Sequence, residues 1–402
     1  MLRKICFFCS NPVNGGTAEI FAECIKELAD RNLSMEIIPC VNDKNDVKVY
    51  DTLQNIERLC VYSQAQVLGE IELEKSILRR AGRKILRNIK YVDQKKRNIK
   101  VMQKFLIDHK VDTVIIHNGG YIGDDLCNQM LQAAWKIKVK NRIMIFHNDF
   151  YKNAIWKLMC IGYDMTINRF ATQTVTVSEF TKNRILSGSF LKKDMKVIHN
   201  GITFQNTICD EQKKRDIAYK NTDIHLGMVG NFLSNKGQIQ LLKAIKKVVE
   251  KTPKRLQVFL IGNVYDKEYY QKCKEYIVRY ELDNIITICH QIYNAKEYMN
   301  LFDVTIIPST SDESFGVIGV ESMRNGVPVV AFRCGGIPEV IEDGVSGYVV
   351  EVGDAEAMAD AILKLIENLE LRLKMKKRAQ KEYELKFTRK IMGDSYLELI
   401  NQ

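Results

Sequence analysis

The sequence predicts an α/β protein with two doubly wound, Rossmann-like domains, each built on a parallel sheet. Short apolar runs that end in polar residues alternate with longer segments of helical periodicity, which is typical of repeated β-α-β units. The chain has 402 residues, 46% of them hydrophobic and 27% charged, so one ordinary core would be too small for it. Two domains account for this length.

The first domain is predicted over residues 1–200. It opens with the strand KICFFCS, a Gly-Gly loop and the helix AEIFAECIKELADRN, in which Ile20, Cys24 and Leu28 line one face. Five further β-rich runs follow in chain order: SMEIIPC, DTVIIHN, RIMIFHN, TQTVTVS and MKVIHNG. Because consecutive runs are joined by long connections, we expect a parallel sheet with helices on both faces.

The second domain is predicted over residues 201–383. It opens with DIHLGMVGN and the helix GQIQLLKAIKKVVEK, and continues with the runs LQVFLIGN, NIITICH, DVTIIPS and VPVVAFR. Residues 384–402 have helical periodicity and no strand partner. We expect this last helix to pack back on the first domain.

Cysteine usage and the chain start favour a cytoplasmic protein. The eleven cysteines are an odd number at scattered positions, which fits reduced thiols better than a disulfide framework. Cys6 and Cys9 form a lone CxxC in an apolar run, so we interpret them as core residues and not as a zinc or redox site. The sequence contains no apolar run of the roughly 18 residues that a membrane span needs, and we expect no signal peptide.

Most of the net charge of +11 comes from one segment, residues 75–100. This segment has eleven Lys or Arg and one acid, Asp93, with apolar residues at helical spacing on the other face. That pattern is typical of an amphipathic helix on an anionic membrane surface, and equally of a helix docked on its own domain with a solvated basic face. Nucleic acid is disfavoured because aromatic stacking residues are sparse and no binding motif accompanies the charge.

The stretch STSDESFGVIGVESMRNGVPVVAFRCGGIPEVI, residues 309–341, contains the strongest candidate site. A predicted strand ends before it, and ligands of open α/β sheets bind beyond the carboxyl ends of the strands. The free amides of Gly316 and Val317 at a predicted helix start suit an anion or a hydroxyl-rich ligand, with Glu313 and Glu321 on either side. Two acids could instead act as in a glycosidase, or be plain surface residues. Binding fits better, because a helix N-terminus favours ionised carboxylates.

These residues resemble the E-x7-E signature of retaining glycosyltransferases of the glycogen-synthase-like family four, which have the GT-B architecture of two Rossmann-like domains facing a cleft. The resemblance extends over nearly the whole chain. NPVNGGTAEIFAECIKELADRN is similar to the glycine loop and first helix of the family. IFHND is similar to its central histidine strand, VIHNGI to the start of its second domain, and GGIPEVIEDGVSGYVV to its closing loop and strand.

The resemblance implies a role for each matching residue. Glu321 would accept hydrogen bonds from the ribose of a nucleotide-sugar, and Glu313 would contact the hydroxyls of the donor sugar. Lys236 would neutralise the diphosphate, and His147 would lie near the reaction centre. The remaining expected contacts to substrate come from Gly16, His117, Asn231, Phe315, Gly316 and Val317.

The resemblance also implies a chemistry: transfer of a sugar from a nucleoside diphosphate to a hydroxyl with retention, without metal or cofactor. Breaking the anomeric bond leaves negative charge on phosphate, so fixed cations and amides there matter most. One position departs from the family pattern. Asn231 stands where the family usually has a phosphate-binding arginine, and Arg333, just ahead of Gly335 and Gly336, is a candidate to compensate.

Three classes of function are consistent with this sequence. The resemblance favours a transferase that acts on a saccharide or lipid-linked acceptor in capsule, lipopolysaccharide or glycolipid assembly, at the inner face of the cell membrane. The alternatives are a nucleotide-sugar epimerase or phosphorylase on a similar fold, and a nonenzymatic nucleotide-sugar-binding protein. The sequence does not specify the sugar, the base or the acceptor.

Overall fold

The computed structural model describes most of the chain and divides it into two compact units. Unit 1 comprises residues 1–201 and 389–402, and unit 2 comprises residues 202–388. The backbone is described for residues 2–10, 16–31, 34–42, 50–51, 53–61, 80–121, 125–148, 154–192, 194–203, 208, 210–292 and 294–402. Side chains are described for the same residues except 80–89, 154 and 159.

Unit 1 is built on a seven-stranded sheet with the order β3-β2-β1-β4-β5-β6-β7, in which all neighbouring strands are parallel. The strands are β1 (Arg3–Cys9), β2 (Met35–Asn42), β3 (Glu57–Leu59), β4 (Thr113–Asn118), β5 (Asn141–Phe146), β6 (Gln173–Thr176) and β7 (Met195–Val197). β4 is buried along its whole length, as expected for a strand covered by helices on both faces.

The helices of unit 1 connect these strands. They are α1 (Gly16–Asp30), α2 (Arg80–Asp108), α3 (Asp125–Lys136), α4 (Ala154–Met159), α5 (Ile161–Phe170), α6 (Glu179–Gly188) and, after the whole of unit 2, α14 (Arg389–Asn401). In α1 the buried set includes Ile20, Cys24 and Leu28, so the face predicted from the sequence is the face that packs on the sheet.

Unit 2 is built on a six-stranded parallel sheet with the order β10-β9-β8-β11-β12-β13. The strands are β8 (Ile224–Val229), β9 (Leu256–Ile261), β10 (Ile286–Cys289), β11 (Val304–Ile307), β12 (Val329–Phe332) and β13 (Gly347–Val350). The helices are α7 (Asp210–Asp216), α8 (Gln238–Lys251), α9 (Lys267–Arg279), α10 (Val317–Arg324), α11 (Ile337–Val340), α12 (Ala355–Glu367) and α13 (Leu369–Lys386), with 3-10 turns at Ser234–Lys236 and Ala295–Leu301. Two parallel sheets with alternating helices confirm the predicted fold class.

The strand orders locate the ligand edge of each unit. In unit 1 the direction of winding reverses between β1 and β4, and in unit 2 it reverses between β8 and β11. Open α/β sheets bind ligands beyond the carboxyl ends of the strands at this reversal, because the loops there diverge and leave a crevice. The loops after β8 and β11 contain Lys236 and Glu313, and the residues at the ends of β4 and β5 include His117 and His147.

The C-terminal segment is divided between the two units. α13 runs to Lys386 within unit 2, and the helix predicted over residues 384–402 begins only at Arg389. A parallel β-bridge between Ile202 and Thr388 joins the two places where the chain passes from one unit to the other. α14 then packs on α1, where Arg389 pairs with Glu27 at 2.9 Å.

Two other sequence interpretations concern the core and the membrane. Cys6 and Cys9 form no disulfide and lie in β1 with no exposed surface, which agrees with their interpretation as core residues. Within the part of the chain that the structure describes, none of the helices combines the length and the apolar character needed to cross a membrane.

Candidate functional site

An ion pair between Lys236 and Glu313 lies at the ligand edge of unit 2. Lys236 ends the 3-10 turn after β8, and Glu313 lies in the loop after β11. The lysine Nζ donates to Glu313 Oε1 at 2.6 Å, and Ser309 Oγ donates to the same oxygen at 2.8 Å. The side chains are 32% and 25% exposed, so the pair can be reached by a ligand from solvent.

A glycine turn places the ammonium group of Lys236. Gly237 adopts a φ of +78°, and a Cβ at this residue would lie 1.8 Å from the carbonyl oxygen of Pro308. The amide of Thr310 donates to the carbonyl of Asn235 at 2.9 Å, which joins the two loops a second time. Only glycine has the space and the backbone freedom for this approach, so Gly237 fixes the distance between the lysine turn and the end of β11.

A second glycine contact positions Glu313. Gly335 has a φ of +58°, and its missing Cβ would lie 2.1 Å from the carbonyl oxygen of Glu313. The amide of Gly336 donates to that oxygen at 2.7 Å. The Gly-Gly loop after β12 therefore holds the backbone of Glu313 directly, which explains why these glycines accompany the acid in the sequence.

The helix expected after Phe315 and Gly316 is α10. Gly316 is its N-cap with a φ of +92°, and among the described residues the amides of Gly316 and Val317 have no hydrogen-bond acceptor. Phe315 is buried. Glu321 lies one turn further along α10 and is 6% exposed, so the two acids of the E-x7-E pattern occupy different environments.

Asn231 and Arg333 both have protein partners. Asn231 Oδ1 accepts a hydrogen bond from the amide of Asn263 at 3.1 Å, so this side chain shapes the loop after β8. Arg333 Nε donates to Glu351 at 2.9 Å, on the exposed surface beyond β13. The guanidinium considered as a replacement for the usual phosphate-binding arginine is therefore engaged with a carboxylate.

Two buried histidines contact each other at the ligand edge of unit 1. His117 Nδ1 and His147 Nε2 are 2.9 Å apart, and the rings stack with centroids 5.1 Å apart. Burial, and secondarily the neighbouring His147, lowers the pKa of His117 well below its ordinary value. Burial also lowers the pKa of His147 from 6.5 to about 4. Both rings are therefore neutral at pH 7, and one must donate to the other.

The surroundings of His117 indicate which ring donates. His117 has no exposed surface, and its Nε2 is buried without a partner among the described residues. An orphaned buried N–H is rarer and costlier than an orphaned acceptor. The proton of His117 is therefore assigned to Nδ1, which donates to His147 Nε2. This assignment leaves the proton of His147 on Nδ1.

Sequence reasoning did not find the aromatic side chains around His117. Tyr396, on α14, stacks on the His117 ring with centroids 6.1 Å apart, and Phe21, on α1, meets its edge at 5.2 Å. Phe21 could have been found from its place on the apolar face of α1. Tyr396 could not, because it lies far from His117 in the sequence and only the return of α14 brings the two together.

Gly16 is the first residue of α1, directly after β1 in the fold. The rest of its Gly-Gly loop, residues 11–15, lies outside the described residues. As for metals, no group of three or more His, Cys, Asp or Glu side chains in the described part of the chain is arranged to hold an ion.

Solved structures share this fold. Two Rossmann-like units, each built on a parallel sheet, are the GT-B fold. The structure of a glycosyltransferase from Rickettsia africae ESF-5 superposes with a TM-score of 0.78 at 19% identity, over 99% of this chain and 97% of that one. Anabaena Alr3699/HepE, solved in complex with UDP-glucose, superposes with a TM-score of 0.72 at 18% identity, over 99% of each chain.

Sequence comparison finds relatives for part of the chain. Residues 210–382, which lie in unit 2, match the model of group 1 glycosyl transferases. The capsular polysaccharide biosynthesis glycosyltransferase CapM of Staphylococcus aureus is 26% identical over 58% of this chain and 62% of its own length. The N-acetyl-alpha-D-glucosaminyl L-malate synthase of Bacillus anthracis is 28% identical over 47% of this chain and 48% of its own length. The matches thus span about half to three fifths of these curated relatives.

Proposed function

We propose that this protein transfers a sugar from a nucleoside diphosphate sugar to a hydroxyl group of a saccharide or lipid-linked acceptor, with retention of anomeric configuration. The observation that carries the proposal is the Lys236–Glu313 pair at the strand ends of unit 2, beside the unpaired amides of Gly316 and Val317. A cation and free helix-start amides are what a diphosphate needs, and a carboxylate suits sugar hydroxyls.

In the proposed reaction the bond between the anomeric carbon and the diphosphate oxygen breaks. Negative charge grows on the diphosphate, where the Lys236 ammonium and the amides of α10 stabilise it without reorganisation. The acceptor oxygen bonds to the anomeric carbon on the same face, and its proton passes to the departing phosphate. Glu321 binds the ribose, Glu313 the donor sugar, and His147 Nδ1–H a sugar hydroxyl. No step requires a metal.

The relatives support a nucleotide-sugar donor and a glycan product. HepE was solved with UDP-glucose, and CapM is named for capsular polysaccharide biosynthesis. By analogy we place the reaction at the cytoplasmic face of a membrane, in the assembly of capsule, lipopolysaccharide or another surface glycan. We further propose that residues 75–100 bind an anionic lipid surface. Residues 75–79 and the side chains of 80–89 lie outside the described residues.

A donor panel tests the proposed reaction. The protein is incubated with UDP-, GDP- and ADP-sugars, each with and without glycolipid and saccharide acceptors, and nucleoside diphosphate release is measured. We expect release that depends on one donor and is accelerated by an acceptor, with an α-linked product from an α-linked donor by NMR. It should survive a chelator. Release without any acceptor would indicate an epimerase, a phosphate requirement would indicate a phosphorylase, and binding without turnover would leave only a nucleotide-sugar-binding protein.

A further inference from the structure

The carboxylate of Glu313 receives both of its side-chain hydrogen bonds on one oxygen. Lys236 Nζ donates to Oε1 at 2.6 Å, and Ser309 Oγ donates to the same Oε1 at 2.8 Å. Within the described part of the chain, Oε2 accepts no hydrogen bond from the protein. Since each carboxylate oxygen accepts about two hydrogen bonds, the protein occupies Oε1 fully and leaves Oε2 for a ligand.

Ser309 is the most rigidly placed member of this group. It is 3% exposed, whereas the side chains of Lys236 and Glu313 are 32% and 25% exposed. Ser309 lies two residues beyond the end of β11, and the next residue, Thr310, donates its amide to the carbonyl of Asn235 at 2.9 Å. A short, buried serine side chain loses less conformational entropy in making this hydrogen bond than the long, flexible stem of a lysine does.

The backbone around Glu313 is held by other contacts. The amide of Gly336 donates to the carbonyl of Glu313 at 2.7 Å, and Cys334 Sγ donates to the carbonyl of Ser311 at 2.7 Å. With the backbone fixed in this way, the torsions of the Glu313 side chain are its main remaining freedom. The hydrogen bond from Ser309 restricts these torsions and thereby determines which carboxylate oxygen faces a ligand.

We propose that Ser309 is a positioning residue, which orients the Glu313 carboxylate so that Oε2 accepts from a hydroxyl of the donor sugar. The inference rests on the proposed transfer reaction, in which Lys236 binds the diphosphate and Glu313 binds the sugar. When the ammonium of Lys236 turns to a phosphate, Oε1 loses its charged partner. Ser309 keeps Oε1 paired at that step, and an unpaired, partly buried carboxylate oxygen would be costly.

Ser309→Ala tests this role by separating turnover from product binding. We expect kcat to fall about tenfold, because the carboxylate is no longer held towards the sugar. The dissociation constant of the nucleoside diphosphate should change less than about twofold, since the charges of Lys236 and Glu313 are kept. Release of nucleoside diphosphate gives kcat, and calorimetric titration with UDP, GDP and ADP gives the affinity. A loss of product affinity as large as the loss of kcat would overturn the proposal.

Ser346→Ala is the matched control. Ser346 is also a buried serine of unit 2, and its Oγ accepts from the amide of Glu342 at 3.0 Å, away from Glu313. This control should keep the kcat of the wild type within about twofold, although it also removes a buried hydroxyl. The proposal is overturned if Ser309→Ala keeps the kcat of the wild type, or if Ser346→Ala lowers kcat as much as Ser309→Ala does.

A double-mutant cycle shows whether Ser309 acts through Glu313. Glu313→Ala removes the carboxylate that Ser309 orients, so adding Ser309→Ala should lower the residual turnover by less than about twofold. A hydroxyl that acts independently of Glu313 would cost about tenfold again in this background. That second result would overturn the positioning role.

Binding measurements distinguish this inference from the proposed reaction. If the wild type releases no nucleoside diphosphate with any donor of the panel, the transfer reaction is overturned, and Ser309 is then tested by titration alone. UDP-, GDP- and ADP-glucose are compared with UDP, GDP and ADP. Ser309→Ala should weaken binding of the glucose conjugate and not of the nucleoside diphosphate, and an equal change in both would overturn the inference. If the wild type binds none of these nucleotides, both proposals are overturned.

Discussion

Lys236 and Glu313 neutralise each other in the structure, although the proposed reaction gives them different ligands. Their contact of 2.6 Å holds the ammonium in place before a donor binds. A diphosphate that reaches Lys236 meets the Glu313 carboxylate as well, and like charges at short range repel. Glu313 therefore has two opposing effects. Its carboxylate positions the ammonium of Lys236, and its negative charge would weaken the binding of a phosphate there.

Glu313→Gln should strengthen the binding of the nucleoside diphosphate product. The amide keeps the hydrogen bonds to Lys236 and Ser309 and removes one negative charge, which should improve affinity by roughly 1 kcal/mol at partly exposed positions. Turnover should fall, because the Gln side chain lacks the second carboxylate oxygen that would accept hydrogen bonds from the sugar hydroxyls. Calorimetric titration with UDP, GDP and ADP measures the affinity. Weaker product binding would show that Glu313 does not lie near the phosphates.

Lys236→Ala should reduce turnover more than donor affinity. Charge on the diphosphate grows towards the transition state, so the ammonium contributes more there than in the ground state. We expect kcat to fall about 100-fold or more and the dissociation constant of the donor to rise less than about tenfold. Nucleotide release at saturating donor and titration of the folded variant give the two values. Equal losses in both would assign Lys236 to binding alone.

At the scale of the elements, glycine turns determine how the loops of unit 2 meet. The turn before α8 touches the end of β11 at Gly237, and the loop before α11 touches the loop after β11 at Gly335. Because glycine has no Cβ, the backbones of these loops can approach closely, and this approach brings the lysine loop and the glutamate loop together. Substitution at these glycines should therefore affect the site before it affects the fold.

Gly335→Ala should lower nucleotide binding sharply. The new Cβ would lie 2.1 Å from the Glu313 carbonyl oxygen, so the loop must shift, at a cost of roughly 2–4 kcal/mol. Gly344→Ala is the matched control, because Gly344 also has a positive φ, +72°, but no atom lies within 4 Å of its Cβ position. The control should lose about 1 kcal/mol of stability and keep nucleotide affinity. Similar affinities in the two variants would contradict this role of Gly335.

At the scale of the whole molecule, the chain passes through unit 2 and returns to complete unit 1. α14 supplies Arg389 to Glu27 and receives Arg31 at Asp394, at 2.9 and 2.6 Å. It also places Tyr396 on the His117 ring. The histidine site of unit 1 is therefore complete only when the last helix of the chain has docked.

Tyr396→Ala should destabilise unit 1 by roughly 3 kcal/mol, because a buried ring is replaced by a cavity beside His117. Both tryptophans of the chain, Trp135 and Trp156, belong to unit 1, so their fluorescence during urea unfolding reports on this unit. The exposed Glu398→Ala on the same helix is the control and should leave the midpoint unchanged. An unchanged midpoint in Tyr396→Ala would mean that α14 contributes little to unit 1.

The stability of unit 1 should depend on pH in a defined way. Burial lowers the pKa of His147 from 6.5 to about 4. As the pH falls, this ring therefore takes up a proton in the unfolded chain before it does so in the folded chain. The stability due to the neutral ring is fully present above pH 6.5 and is lost as the pH falls towards 4, by up to about 3 kcal/mol. Burial raises the pKa of Asp164 from 3.8 to about 6, so this carboxyl acts in the opposite direction.

Urea unfolding followed by tryptophan fluorescence at about pH 7.5 and about pH 5 measures the direction in which His147 and Asp164 each change the stability of unit 1. His147→Asn should lose less stability than the wild type on acidification, and Asp164→Asn should lose more. If both variants keep the pH dependence of the wild type, neither group titrates differently in the folded and unfolded states.

The sequence by itself determined the fold class and the composition of the candidate site. Alternation of apolar runs with helical periodicity is a local property, and it predicted both parallel sheets because buried parallel strands are apolar on both faces. Glu313, Gly316 and Val317 could be selected because a strand, a loop and a short helix follow one another directly in the chain. Lys236 could be selected for the same reason, because it follows the predicted strand DIHLGMVGN directly in the chain.

Only the tertiary structure decided which of these residues meet. The pairing of Lys236 with Glu313, the contact of His117 with His147, and the engagement of Arg333 by Glu351 each join residues that the sequence separates. The same holds for Tyr396, which only the return of α14 brings to the His117 ring. Such contacts depend on strand order and on glycine-mediated approach of distant loops, and these are properties of the packed chain and not of any single segment.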